Sequence, residues 1–110
     1  MAVTTLIKLY RGEAITIPFA FQTATDITGW TITFTVSDRP NSTTKVVSSV
    51  TCTHVDDESG EFSVVLSADD TDLSPSNLYF WDVWRTDSGY ERMLGSGRFM
   101  VVASARVPTT

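Results

Sequence analysis

Apolar and polar side chains alternate along most of this chain, and a period of two is the spacing at which every second side chain meets one face of a sheet. In the stretch from Trp30 to Ser37, Trp30, Ile32, Phe34 and Val36 alternate with Thr31, Thr33 and Thr35. This predicts a half-buried strand with a threonine face toward water. Ile15, Ile17, Phe19 and Phe21 alternate in the same way with Ala14, Thr16, Pro18 and Ala20. Because Pro18 has no N–H to give to a ladder, that strand is expected at a sheet edge or at a bend. Phe62, Val64 and Leu66 mark another strand, and Phe99, Val101 and Ala103 one near the end. A weaker, more polar strand is expected over 45–54, and two more over 77–85 and 90–95.

Turn chemistry separates these runs. Asp26-Ile27-Thr28-Gly29, Asp38-Arg39-Pro40-Asn41, Asp57-Glu58-Ser59-Gly60 and Asp87-Ser88-Gly89 supply residues that fix or tolerate turn dihedrals. The one helical signal is Ser67-Ala68-Asp69-Asp70, an N-cap residue followed three positions on by a carboxylate, ahead of Leu73 and Pro75. It predicts one short helical turn near 68–74. About seven or eight short strands with frequent turns imply an all-β fold: an antiparallel β-sandwich of immunoglobulin size. No Cys…Trp…Cys framework of an antibody domain is present. The 110 residues are expected to form a single domain, with a core over about 6–103 and a polar C-terminal arm over 104–110.

Composition narrows the class. At 42% hydrophobic and 19% charged the chain is globular in type. With Cys52 as the single cysteine, neither an internal disulfide nor a cysteine-based zinc site can form. The first residues lack a signal-like apolar core, and no stretch reaches membrane-span length, so folding in the cytoplasm and no membrane partner are expected. The net charge of −5 opposes a phosphate backbone, so no nucleic-acid partner is expected. Charge is also uneven. No basic residue lies between Lys45 and Arg85, where Asp56, Asp57, Glu58, Glu61, Asp69, Asp70, Asp72 and Asp82 fall. Such a run is a solvated acidic rim, or one partner of a basic surface on a neighbouring copy.

Catalytic chemistry is hard to assemble. His54, the only histidine, lies at a strand end two residues from Asp56, which places the two side chains on one face. A surface histidine is the expected reading, since a working triad needs a nucleophile and an oxyanion site besides. Asp69, Asp70 and Asp72 have the composition of a calcium loop without its spacing or its distant glutamate, and helix capping accounts for them. No catalytic residue, cofactor or metal is expected.

The segment Leu78-Tyr79-Phe80-Trp81-Asp82-Val83-Trp84-Arg85 breaks the sandwich rule of one apolar and one polar face. Both faces are apolar apart from Asp82. Tyr79, Trp81 and Val83 are assigned to the core. Leu78, Phe80 and Trp84, extended by Met100 and Val102, are assigned to a partner contact, because exposed aromatic patches usually mark contacts.

The order of motifs carries a further resemblance. Arg11-Gly12-Glu13 opens a strand; Asp26-Ile27-Thr28-Gly29-Trp30 leads into the threonine-rich one. Gly60-Glu61-Phe62-Ser63-Val64-Val65-Leu66, the Asp69-Asp70-Thr71-Asp72-Leu73 turn, Tyr79-Phe80-Trp81-Asp82-Val83 and Gly97-Arg98-Phe99-Met100-Val101 follow. Over about residues 6–103 this order resembles the immunoglobulin-like domains of tailed-phage structural proteins, notably the N-terminal domain of the phage upper baseplate protein. The resemblance implies a non-enzymatic virion component, made in the host cytoplasm, such as a decoration or cement, neck, tail or baseplate subunit. Its expected partners are other copies of itself and neighbouring virion proteins. The alternative is a carbohydrate-binding or host-attachment module, with Trp84 and Tyr90 as glycan platforms.

Overall fold

The structure is a computed structural model, and it describes residues 3–4, 6–21, 23, 25–38, 45–75 and 78–103. Its strands are β1 (Val3–Thr4), β2 (Ile7–Tyr10), β3 (Ile15–Ala20), β4 (Ile32–Ser37), β5 (Lys45–Thr51), β6 (Thr53–Asp56), β7 (Glu61–Leu66), β8 (Tyr79–Arg85) and β9 (Arg92–Val102). One sheet runs β1-β9-β8-β4-β5 with β2 also on β9; the other runs β3-β7-β6. The expected all-β sandwich is therefore the architecture, and the strand order is that of an immunoglobulin-like domain. Among the described residues no helix is long and apolar enough to cross a membrane.

The core lies between the sheets and is aromatic at its centre. Trp81 of β8 stacks on Phe34 of β4, with centroids 6.0 Å apart and planes 19° off parallel, and meets Phe19 of β3 at 5.4 Å. Phe19 in turn stacks on Phe62 of β7 at 5.3 Å. Tyr79 begins β8, and its hydroxyl donates to the Ser74 carbonyl 3.1 Å away. That is the tyrosine corner of immunoglobulin-like domains, which sits two residues before the second disulfide cysteine of an antibody domain. Here Trp81 holds that position. From that position Trp81 reaches across to Phe19 of the other sheet, an aromatic contact between the sheets in place of a covalent bridge.

Several boundaries differ from the sequence expectation. The strand expected over 45–54 is two strands that belong to different sheets. The chain changes sheet at Cys52, which is 5% exposed and donates its N–H to the Ile32 carbonyl at 2.8 Å. Alternation continues across such a crossing, so periodicity does not reveal it. The strands expected at 90–95 and near 99–103 are one strand, β9. Gly95 and Gly97 do not break it, because each is held in the ladder, paired with Val83 and Trp81 of β8 respectively. The segments β1 and β2 were not expected as strands. Both pair in parallel with β9, so the sandwich is not wholly antiparallel.

The connections follow the turn residues. In the turn at 67–70, the Ser67 N–H donates to the Asp70 carboxylate at 2.9 Å and the Asp70 N–H to Ser67 Oγ at 3.2 Å, a reciprocal capping box. The turn is too short to be a helix. It docks on the Arg11-Gly12-Glu13 corner through the fully buried Thr71, whose hydroxyl donates to the Glu13 carbonyl at 2.7 Å, and through an Arg11–Asp72 ion pair at 2.7 Å. Gly60 has φ +74°, and a Cβ there would sit 2.7 Å from the Thr25 carbonyl oxygen, so both backbone angle and space demand glycine. The turn expected at Asp38–Asn41 and the arm at 104–110 lie outside the described residues.

Candidate functional site

The outward residues of β8 are Phe80, Asp82 and Trp84, because Tyr79, Trp81 and Val83, at 2%, 2% and 1% exposure, occupy the core. Register then places their neighbours. Phe80 lies between Ser37 of β4 and Arg98 of β9, Asp82 between Thr35 and Ser96, and Trp84 between Thr33 and Met93. A β-bulge between Val83 and Trp84 inserts Leu94 into β9. Leu94 turns inward and is buried, while Met93 is carried outward beside Trp84.

Farther along the same face, Met100 of β9 pairs with Lys8 and Val102 with Tyr10. Leu78 precedes Tyr79 and Met100 follows its partner Phe99, so the two fall at one level of the face. Leu78 is 46% exposed, Met100 41% and Trp84 38%; Phe80 and Val102 are half-buried. The five sequence-assigned residues therefore share one side of one sheet. They form two apolar islands separated by the polar Thr35–Asp82–Ser96 row, with Arg98 and Lys8 beside the second island. Met93 and Tyr10 belong to this surface and were missed. The alternation of Ile7 and Leu9 with Lys8 and Tyr10 could have revealed Tyr10; nothing local signals the bulge that exposes Met93.

Other candidate chemistry resolves into structure. His54 does not pair with Asp56 and is not a loose surface side chain. Its Nδ1 lies 2.5 Å from an Asp57 carboxylate oxygen, and its Nε2 lies 2.8 Å from the Trp30 carbonyl. Both ring nitrogens are engaged, so the ring ties β6 to the entry of β4. The Asp56 carboxylate instead accepts from Ser59 within its own turn. Asp87 accepts from Arg85 Nε at 2.8 Å and from the Thr31 N–H at 2.9 Å, and these bonds hold its carboxyl below the usual range. The Arg85 guanidinium lies between the Trp30 and Tyr90 rings, 4.4 and 4.8 Å from their centroids, so one face of Tyr90 is covered. Among the described residues no group of three or more His, Cys, Asp or Glu comes together as a metal cluster. Asp70 and Asp72 are already committed to the capping box and to Arg11.

No protein-family model matches the chain, and no curated protein matches it. Among solved structures it is similar to the N-terminal domain of phage TP901-1 ORF48, at 12% sequence identity and a TM-score of 0.55, over 88% of this chain and 84% of that one. The expected likeness to a phage immunoglobulin-like domain is present, and at this identity it is a likeness of fold.

Proposed function

We propose that the chain is a non-enzymatic structural component of a tailed-phage virion, a decoration or cement, neck, tail or baseplate subunit that acts through protein–protein contacts. The observation that carries this reading is the outer face of the six-stranded sheet. A sandwich strand normally turns polar side chains to water, yet here Trp84 and Met93 in one island and Leu78 and Met100 in the other are exposed on one face. Aromatic and methionine side chains are enriched at protein interfaces, and arginine with them, as at Arg98. The shared fold with a phage domain supports the setting. The glycan reading is weaker, because Trp84 lies on the sheet face while one side of Tyr90 is taken by Arg85.

The test is Trp84→Arg in the phage context. The variant is expected to fold, since Trp84 lies outside the core, and to be absent from purified particles. A folded variant that enters particles at the wild-type level overturns the role of this face. Retention of the purified chain on a glycan array, lost on Trp84→Ala, would favour the alternative.

A further inference from the structure

The sandwich has two outer faces, and their side chains differ in size and in charge. On the six-stranded sheet the outer side chains are large, with Trp84, Met93, Phe80 and Met100 rising from it; the cations Arg98 and Lys8 stand among them, and Asp82 lies in the polar row between the two apolar islands. On the three-stranded sheet they are small. Thr16, Pro18 and Ala20 of β3 and Val65 of β7 make a low surface, with Ser63 buried beneath it and Val65 58% exposed. Its charge is purely negative: Glu61 pairs with both Ala20 and Asp56, and Glu58 occupies the adjoining turn. Neither β3, β6, β7 nor the turn between β6 and β7 contains a lysine or arginine.

We propose that these two faces are counterparts, so that the outer face of the six-stranded sheet of one copy docks on the outer face of the three-stranded sheet of the next. The occupant of each face is a second copy of this chain, and the contact is head to tail. Complementary charge is the argument for that pairing. Docking either face on its own kind sets surfaces of like net charge together, since Arg98 and Lys8 outnumber Asp82 on the large face and glutamates mark the small one. Pairing unlike faces brings cations to acids and seats large apolar side chains on a low surface that includes Val65, Ala20 and Pro18. A heterologous contact of this kind leaves one unsatisfied face at each end, so it propagates into a ring or a stack. The inference rests on reading the large face as a contact surface.

The experiment uses two single variants of the full chain, Trp84→Asp to block the large face and Val65→Arg to block the small one, with circular dichroism to confirm folding. By sedimentation velocity the wild type is expected to form species larger than a dimer as concentration rises. Each variant alone is expected to remain monomeric. An equimolar mixture is expected to give a one-to-one complex and nothing larger, since each variant retains the face the other needs. If either variant does not fold, Met93→Asp or Thr16→Arg takes its place in the same design. Three results overturn the proposal: a wild type that is monomeric at every soluble concentration, a mixture that stays monomeric, or a Val65→Arg variant that still associates alone. The virion role is judged separately. A monomeric wild type that enters particles normally sinks head-to-tail docking and leaves that role standing.

Discussion

Cys52 lies where the chain leaves one sheet for the other, and burial pushes its thiol up to about 12. A thiol in that state is not a thiolate at neutral pH and is not available as a nucleophile. In the folded protein a thiol-directed reagent is expected to react with Cys52 orders of magnitude more slowly than in strong urea. Similar rates in both would mean that the crossing opens readily. Asp87 provides a pH-dependent counterpart. Its folded value is held below its ordinary 3.8 by the bonds from Arg85 and from the Thr31 N–H. A carboxylate depressed on folding contributes stability that is complete above the ordinary value and is lost as pH falls through the folded one. Urea midpoints measured downward from about pH 5 are therefore expected to fall less steeply for Asp87→Asn than for the wild type. Parallel slopes would remove Asp87 from the acid response. At this scale His54 was only half legible. A nearby carboxylate was evident, but that the partner is Asp57 depended on the β-bulge between His54 and Asp56.

β8 contributes Tyr79, Trp81 and Val83 to the core and, with Phe80 and Trp84, the centre of the sequence's warning about the surface. With both of its faces apolar apart from Asp82, only the placement of that one carboxylate argued for Tyr79, Trp81 and Val83 as the inward set, and burial alternates accordingly from Tyr79 to Val83. Trp81→Ala is expected to cost about 3–5 kcal/mol, the usual range for emptying a large aromatic site in a packed core. Tyr79→Phe removes the hydroxyl and its bond to Ser74 and is expected to cost about 1 kcal/mol. Urea denaturation of the two variants checks the ranking. A smaller loss for Trp81→Ala than for Tyr79→Phe would mean that the aromatic stack is not the pin between the sheets. β9 was less legible. Its glycines look like breakers in a linear reading, and only the register against Val83 and Trp81 shows why they belong inside a strand.

One hydrophobic cluster includes Ile7 and Phe99 of the larger sheet and Ile17 and Val64 of the smaller one. Neither sheet buries its inner face without the other, so the domain is expected to unfold in a single transition. Far-ultraviolet circular dichroism and tryptophan fluorescence should give coincident urea curves, and separated midpoints would show that one sheet outlasts the other. Alternation and turn residues, which are local properties of the chain, were enough to determine the all-β class, the inward set of β4 and β7, and an excess of apolar surface on β8; of the edge or bend that Pro18 allowed, the structure shows the edge. Tertiary structure alone decided which sheet each strand joins, the parallel pairing of β2 with β9, the crossing at Cys52 and the exposure of Met93. Those features depend on which distant strand lies alongside and at what register, and a period of two reads the same whichever neighbour supplies the hydrogen bonds.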